Sequence, residues 1–64
     1  MVSLKIKNGA KREIAKGRVA IEGTCVVLWR TGIKGEPDII VFAYCLLPGE
    51  TVTKGEGDDY IVEF

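Results

Sequence analysis

No stretch of this chain runs more than ten residues without a glycine or a proline. Glycine costs a helix interior about 1 kcal/mol relative to alanine and proline about 3 kcal/mol, so a chain punctuated this densely has little use for helices. A typical globular helix also needs roughly 11–12 uninterrupted residues. What remains is a set of short strands joined by tight turns, and the runs between the breakers have the composition that strands favour.

Val2, Leu4 and Ile6 alternate with Ser3, Lys5 and Lys7, which gives one apolar face with a period of two. Asn8-Gly9 follows as a hairpin signal. A three-residue loop of Asn8, Gly9 and Ala10 predicts Leu4 opposite Ile14 and Lys5 opposite Glu13, whereas a two-residue loop mixes polar and apolar faces. A third strand is expected around Val19 and Ile21, and a fourth over Thr24 to Thr31. Gly32 to Asp38 reads as a loop. The nine-residue apolar run Ile39 to Leu47 is β-branched and aromatic and ends at Pro48-Gly49, which favours a strand over a buried helix. Thr51 to Thr53 forms a short piece, and Tyr60, Val62 and Phe64 alternate in a last strand. Lys-Gly recurs at 16, 34 and 54 and marks similar turns between strands. The fold class expected is therefore all-β: one small domain over residues 1–64, a barrel or sandwich of about six short antiparallel strands.

Pairing residues 24–31 with 39–46 around Gly35 sets Cys25 opposite Cys45, Val27 opposite Ala43 and Trp29 opposite Val41 on one face. The other face carries Val26, Leu28 and Arg30 against Tyr44, Phe42 and Ile40. Both faces are mostly apolar, although an antiparallel hairpin in a monomer normally solvates one of them. A partner surface covering the excess is expected around Trp29, Arg30, Ile40, Phe42 and Tyr44, with Trp29 as the anchor of the core or of that interface. The cysteines are expected to be neighbours. No basic region followed by an apolar segment suggests export, so the default is cytoplasmic with both thiols reduced. The longest apolar run is far short of the roughly 20 residues a membrane-spanning helix needs.

Sixty-four residues bury only about 60% of the surface the unfolded chain exposes, so the fold wants a supplement. Metal is a poor supplement here, with no histidine and two cysteines twenty positions apart. Oligomerisation is the leading alternative and a single bridge the second. The absence of histidine also excludes Ser-His and Cys-His nucleophilic pairs, and Ser3 is the only serine. No cofactor and no catalysis are expected. Asp58-Asp59, between glycine-rich residues, lacks the ligand ladder of a calcium loop.

The segment Pro48 to Glu56, PGETVTKGE, resembles the Gly-x-x-Val-x-Lys-Gly turn of biotinyl and lipoyl domains. The resemblance covers nine residues and implies a strand-turn-strand over Gly49 to Gly57. The lysine-bearing hairpin that takes the cofactor in that family has no counterpart here.

Formal net charge is zero, yet residues 1–34 carry +6 and residues 35–64 carry −6. Such a split suits a non-enzymatic assembly subunit that binds itself or a larger protein particle, for example a virion accessory or decoration subunit. Pairing of basic early strands with acidic late ones within one molecule would produce the same split. The alternative function is a small barrel binding single-stranded nucleic acid through a basic strip of Lys5, Lys7, Lys11, Arg12, Lys16 and Arg18.

Overall fold

A computed structural model describes residues 1–7 and 9–63. Those residues form seven strands and no helix: β1 (Val2–Lys5), β2 (Lys11–Ile14), β3 (Gly17–Glu22), β4 (Cys25–Arg30), β5 (Ile39–Cys45), β6 (Thr51–Lys54) and β7 (Asp58–Glu63). They make a four-stranded sheet in the order β2-β1-β7-β6 and a three-stranded sheet in the order β3-β4-β5. The all-β expectation holds, with no closed barrel.

The expectation of purely antiparallel strands fails at one pairing. β1 and β7 run parallel, with Val2 beside Asp58 and Leu4 beside Tyr60. Alternating polarity is blind to strand direction, and parallel neighbours need a long crossover. Here the whole β2–β6 segment supplies it.

The first hairpin also differs from its expected register. Val2 opposes Ile14, Leu4 opposes Arg12 and Lys5 opposes Lys11. The loop therefore lies between Ile6 and Ala10, one position earlier than the expected 8–10. The Ile6 amide donates to the Ala10 carbonyl at 2.7 Å, and the Gly9 amide donates to the Ile6 carbonyl at 2.9 Å. Gly9 has φ 98°, the left-handed residue that closes a three-residue hairpin loop. Asn8, on which the turn signal rested, lies outside the described residues. A two-residue slip leaves every side chain on its original face, so packing does not oppose it.

Leu4, Ile6, Val26 and Val62 form a buried cluster drawn from both sheets. Val19, Phe42, Tyr44, Val52 and Tyr60 pack around it. Fully burying each such aliphatic side chain contributes about 1.5–3 kcal/mol. Ser3, the only serine, is 3% exposed, and its hydroxyl donates to Asp59 Oδ1 at 2.7 Å. One member of the Asp58-Asp59 pair is thereby engaged across the parallel pairing. The last strand begins at Asp58, two residues before the expected start, and Phe64 lies outside the described residues.

Candidate functional site

The central hairpin follows the expected register for four pairs, from Cys25 opposite Cys45 to Leu28 opposite Phe42. A bulge then shifts it, so that Trp29 faces Ile40 rather than Val41 and Arg30 faces Ile39 rather than Ile40. A bulge inserts one extra residue and twists the strand, which period-two patterning does not register. Cys25 and Cys45 are joined by a disulfide with Cα atoms 4.0 Å apart, which corrects the expectation of reduced thiols. Directly opposed strand positions bring two cysteines into contact, and compartment defaults carry no geometric information.

The two faces of this hairpin meet different fates. Val26 and Leu28 point inward and are fully buried, and their cross-strand partners Tyr44 and Phe42 follow them. On the outer face, Arg18 opposes Trp29, Ala20 opposes Val27 and Glu22 opposes Cys25. The Trp29 indole N–H donates to Glu22 Oε2 at 2.9 Å, two rows along the sheet. The ring must therefore cross the Ala20–Val27 row, which accounts for Val27 being only 5% exposed. The Arg18 guanidinium sits 4.9 Å from the Trp29 ring centroid and also pairs with Asp38 at 2.6 Å. The β4 part of the second apolar face is thus covered from within the chain at Val27, while Val41, Ala43 and Cys45 on β5 stay exposed. Trp29 lies outside the core cluster.

The expected interface residues are accordingly divided. Phe42 and Tyr44 face inward, Trp29 faces outward, and Arg30 and Ile40 are exposed. The Tyr44 hydroxyl donates to both Glu50 carboxylate oxygens, at 2.8 and 3.0 Å, and Glu50 also accepts from the Leu47 amide. Hydrogen bonding to Glu50 raises the Tyr44 pKa above its ordinary value, since only the protonated phenol can donate that bond.

The expected basic strip is also divided. Lys5 and Lys11 oppose each other across the first hairpin, and Lys11 lies 3.7 Å from Glu13. Arg12 stacks over Phe42 at 5.0 Å and ties β2 to the second sheet. Arg18 is engaged by Asp38 and Trp29, Lys7 is exposed, and Lys16 lines a groove described below.

Two features stand out as sites for a partner. The first is the free edge of β5. Four strands end the two sheets: β2, β6, β3 and β5. β2 carries Lys11, Arg12 and Glu13, β3 carries Arg18 and Glu22, and β6 is four residues ending in Lys54. β5 is seven residues long and uncharged, and Ile39, Ile40 and Val41 are 42, 52 and 41% exposed.

The second feature is a groove of about 590 Å³ lined by the β2–β3 junction, the end of β4 and the following loop. Ile14 and Ile33 contribute apolar surface, and Lys16, Arg30 and Lys34 contribute three cations. Gly17 is required beside it, because a Cβ there would collide with the Trp29 carbonyl and the Ile14 side chain. The Thr31 amide donates to the Lys16 carbonyl at 3.2 Å, and the Gly32 amide donates to Asp38 Oδ1 at 2.9 Å. The hydrogen bond from the Gly32 amide, followed by the Arg18 pairing, lowers the Asp38 pKa. Lys34 adopts φ 52° and Gly35 φ 84°, which folds the loop back on itself.

Reading the chain by runs misses this groove, because its residues come from three separate breaks in the pattern. The available signal was the recurring Lys-Gly pair: the copies at 16 and 34 place their lysines on the same groove.

Among the described residues there is no group of three or more metal-ligating side chains and no helix long and apolar enough to cross a membrane. Comparison with protein-family models, curated proteins and solved structures returns no match.

Proposed function

We propose that this protein is a non-enzymatic assembly subunit that pairs with another copy of itself along the free edge of β5. The carrying observation is the contrast among the four sheet edges. Natural edge strands are blunted by charge, shortness or a covering element. β5 has none of the first two protections, and its exposed residues are apolar. The bulge at its start gives partial protection by twisting the strand. Antiparallel addition of a second β5 would satisfy the unpaired backbone groups and join two three-stranded sheets into one of six. The contact would be isologous, closing at a dimer.

This reading shifts the expected basis of assembly from charge to backbone pairing and apolar contact. Light-scattering molar mass over a range of concentration and salt tests it. The expected result is a dimer that persists as salt rises, and a monomer for Ile40→Lys with unchanged circular dichroism. A wild-type monomer at every concentration, or a dimer that dissolves on adding salt, overturns it.

A further inference from the structure

We infer that the groove between the β2–β3 junction and the 31–38 loop binds an acidic segment of a partner protein, one that carries carboxylates together with aliphatic or aromatic side chains. The inference rests on how charge and apolar surface combine there, and it does not depend on β5 pairing.

Lys16, Arg30 and Lys34 surround the groove, and none forms an ion pair with another described residue. Other basic residues nearby are engaged: Arg18 with Asp38, Lys11 with Glu13, and Arg12 with the Phe42 ring. Three uncompensated cations over an apolar floor raise the local concentration of anions. Ile33 is 63% exposed beside them, so the occupant gains by bringing apolar side chains as well. The groove's volume falls within the range of ligand sites.

Two observations choose among anions. A compact phosphate is best held by backbone amides, as in a phosphate-cradling loop. Two of the amides that line this groove are already spent, that of Thr31 on the Lys16 carbonyl and that of Gly32 on Asp38. The charged donors are three long side chains, Lys16, Arg30 and Lys34, which suit several separated carboxylates. A single-stranded nucleic acid needs aromatic platforms for its bases. Among the described residues no aromatic lines the groove: Trp29 lies on the outer face of its sheet, and Phe42, Tyr44 and Tyr60 pack against the core.

The test is titration of the full chain at low salt, by calorimetry and by amide shifts in nuclear magnetic resonance, with four probes. These are a capped Glu-Leu-Asp-Phe-Glu peptide, its Gln-Leu-Asn-Phe-Gln counterpart, an oligothymidylate and inorganic phosphate. The acidic peptide is expected to bind, to shift amides at 14–16 and 30–34, and to weaken as salt rises. The amide counterpart and the triple variant Lys16→Glu, Arg30→Glu, Lys34→Glu are each expected to lose about tenfold or more, as three exposed ion pairs imply. Ile33→Asp gives a second, single-site variant should the triple variant fail to fold, and it should lose binding with its circular dichroism intact. Ile40→Lys should bind the acidic peptide as wild type does, which separates this site from the β5 edge. No binding of the acidic peptide, equal binding of its amide counterpart, preference for phosphate or oligothymidylate, or shifts confined to β5 overturns the inference.

Discussion

Reducing the Cys25–Cys45 bridge should cost this protein a large share of its stability. The bridge joins the start of β4 to the end of β5 across a sequence separation of 20. Five further register pairs hold the same two strands together, so reduction leaves the native pairing largely in place. The effect then lies mainly in the unfolded chain, which regains the freedom of a closed loop. A loop of that length corresponds to about 3 kcal/mol in the chain-entropy treatment. Sixty-four residues at the usual stability per residue give roughly 3–10 kcal/mol in total. The loss is therefore between a third and nearly all of the folding free energy. In a domain of this size it should lower Tm by roughly 10–25 °C. Thiol titration in denaturant without reductant should find no reactive thiol. Urea or thermal unfolding, with and without a phosphine reductant, should then show the shift, and Cys25→Ala with Cys45→Ala should reproduce it. Two titratable thiols in the oxidised preparation, or a midpoint that does not move on complete reduction, would refute the reasoning.

Other perturbations follow from the packing and the charged contacts. Leu28→Ala removes a fully buried side chain and should cost about 2–5 kcal/mol in urea unfolding, whereas Ile33→Ala should change stability by less than about 0.5 kcal/mol. Trp29→Ala uncovers Val27 and releases Glu22 and Arg18, and the lost burial predicts a cost of about 3 kcal/mol without disturbing the core cluster. Asp38 has a folded pKa below its unfolded value. Its contribution is therefore present above the unfolded carboxylate value near 4 and lost as pH falls through the folded one, and Asp38→Asn should flatten that acid limb. Tyr44 has the opposite sign: its contribution is present below the ordinary value near 10 and lost as pH rises through the raised folded value. Tyrosinate absorbance during alkaline titration should show Tyr44 ionising late, and earlier in Glu50→Gln.

Much of the strand plan was legible because it depends on local alternation. The runs around Val2–Ile6, Val19–Ile21, Thr24–Thr31 and Ile39–Leu47 each contain an observed strand, and Gly32 to Asp38 is the loop between two of them. The Cys25–Cys45 contact was legible too, since a hairpin loop centred on Gly35 sets the pair directly opposite. The candidate sites were less so. The interface expected at Phe42 and Tyr44 turned inward, because two sheets shared one core and claimed that face. The basic strip dispersed because Arg12 found the Phe42 ring on the second sheet, far along the chain, and Arg18 the ring of its cross-strand partner Trp29.

The charge split shows where the boundary runs. β1, from the basic half, lies beside β7, from the acidic half, and Arg18 meets Asp38. Part of the apparent polarity between halves is thus met within one molecule, while Lys16, Arg30 and Lys34 gather on one groove. By itself the sequence determined that helices were disfavoured, that strands were short, and which side chains shared a face wherever no bulge intervened. Those properties follow from glycine and proline placement and from the two-residue period, both local. Only the tertiary structure decided that β1 and β7 run parallel, which hairpin face is buried, which edge stays open and which cations lack a partner. Each of those depends on how separate strands meet in space, and alternation along one strand carries no record of its neighbour.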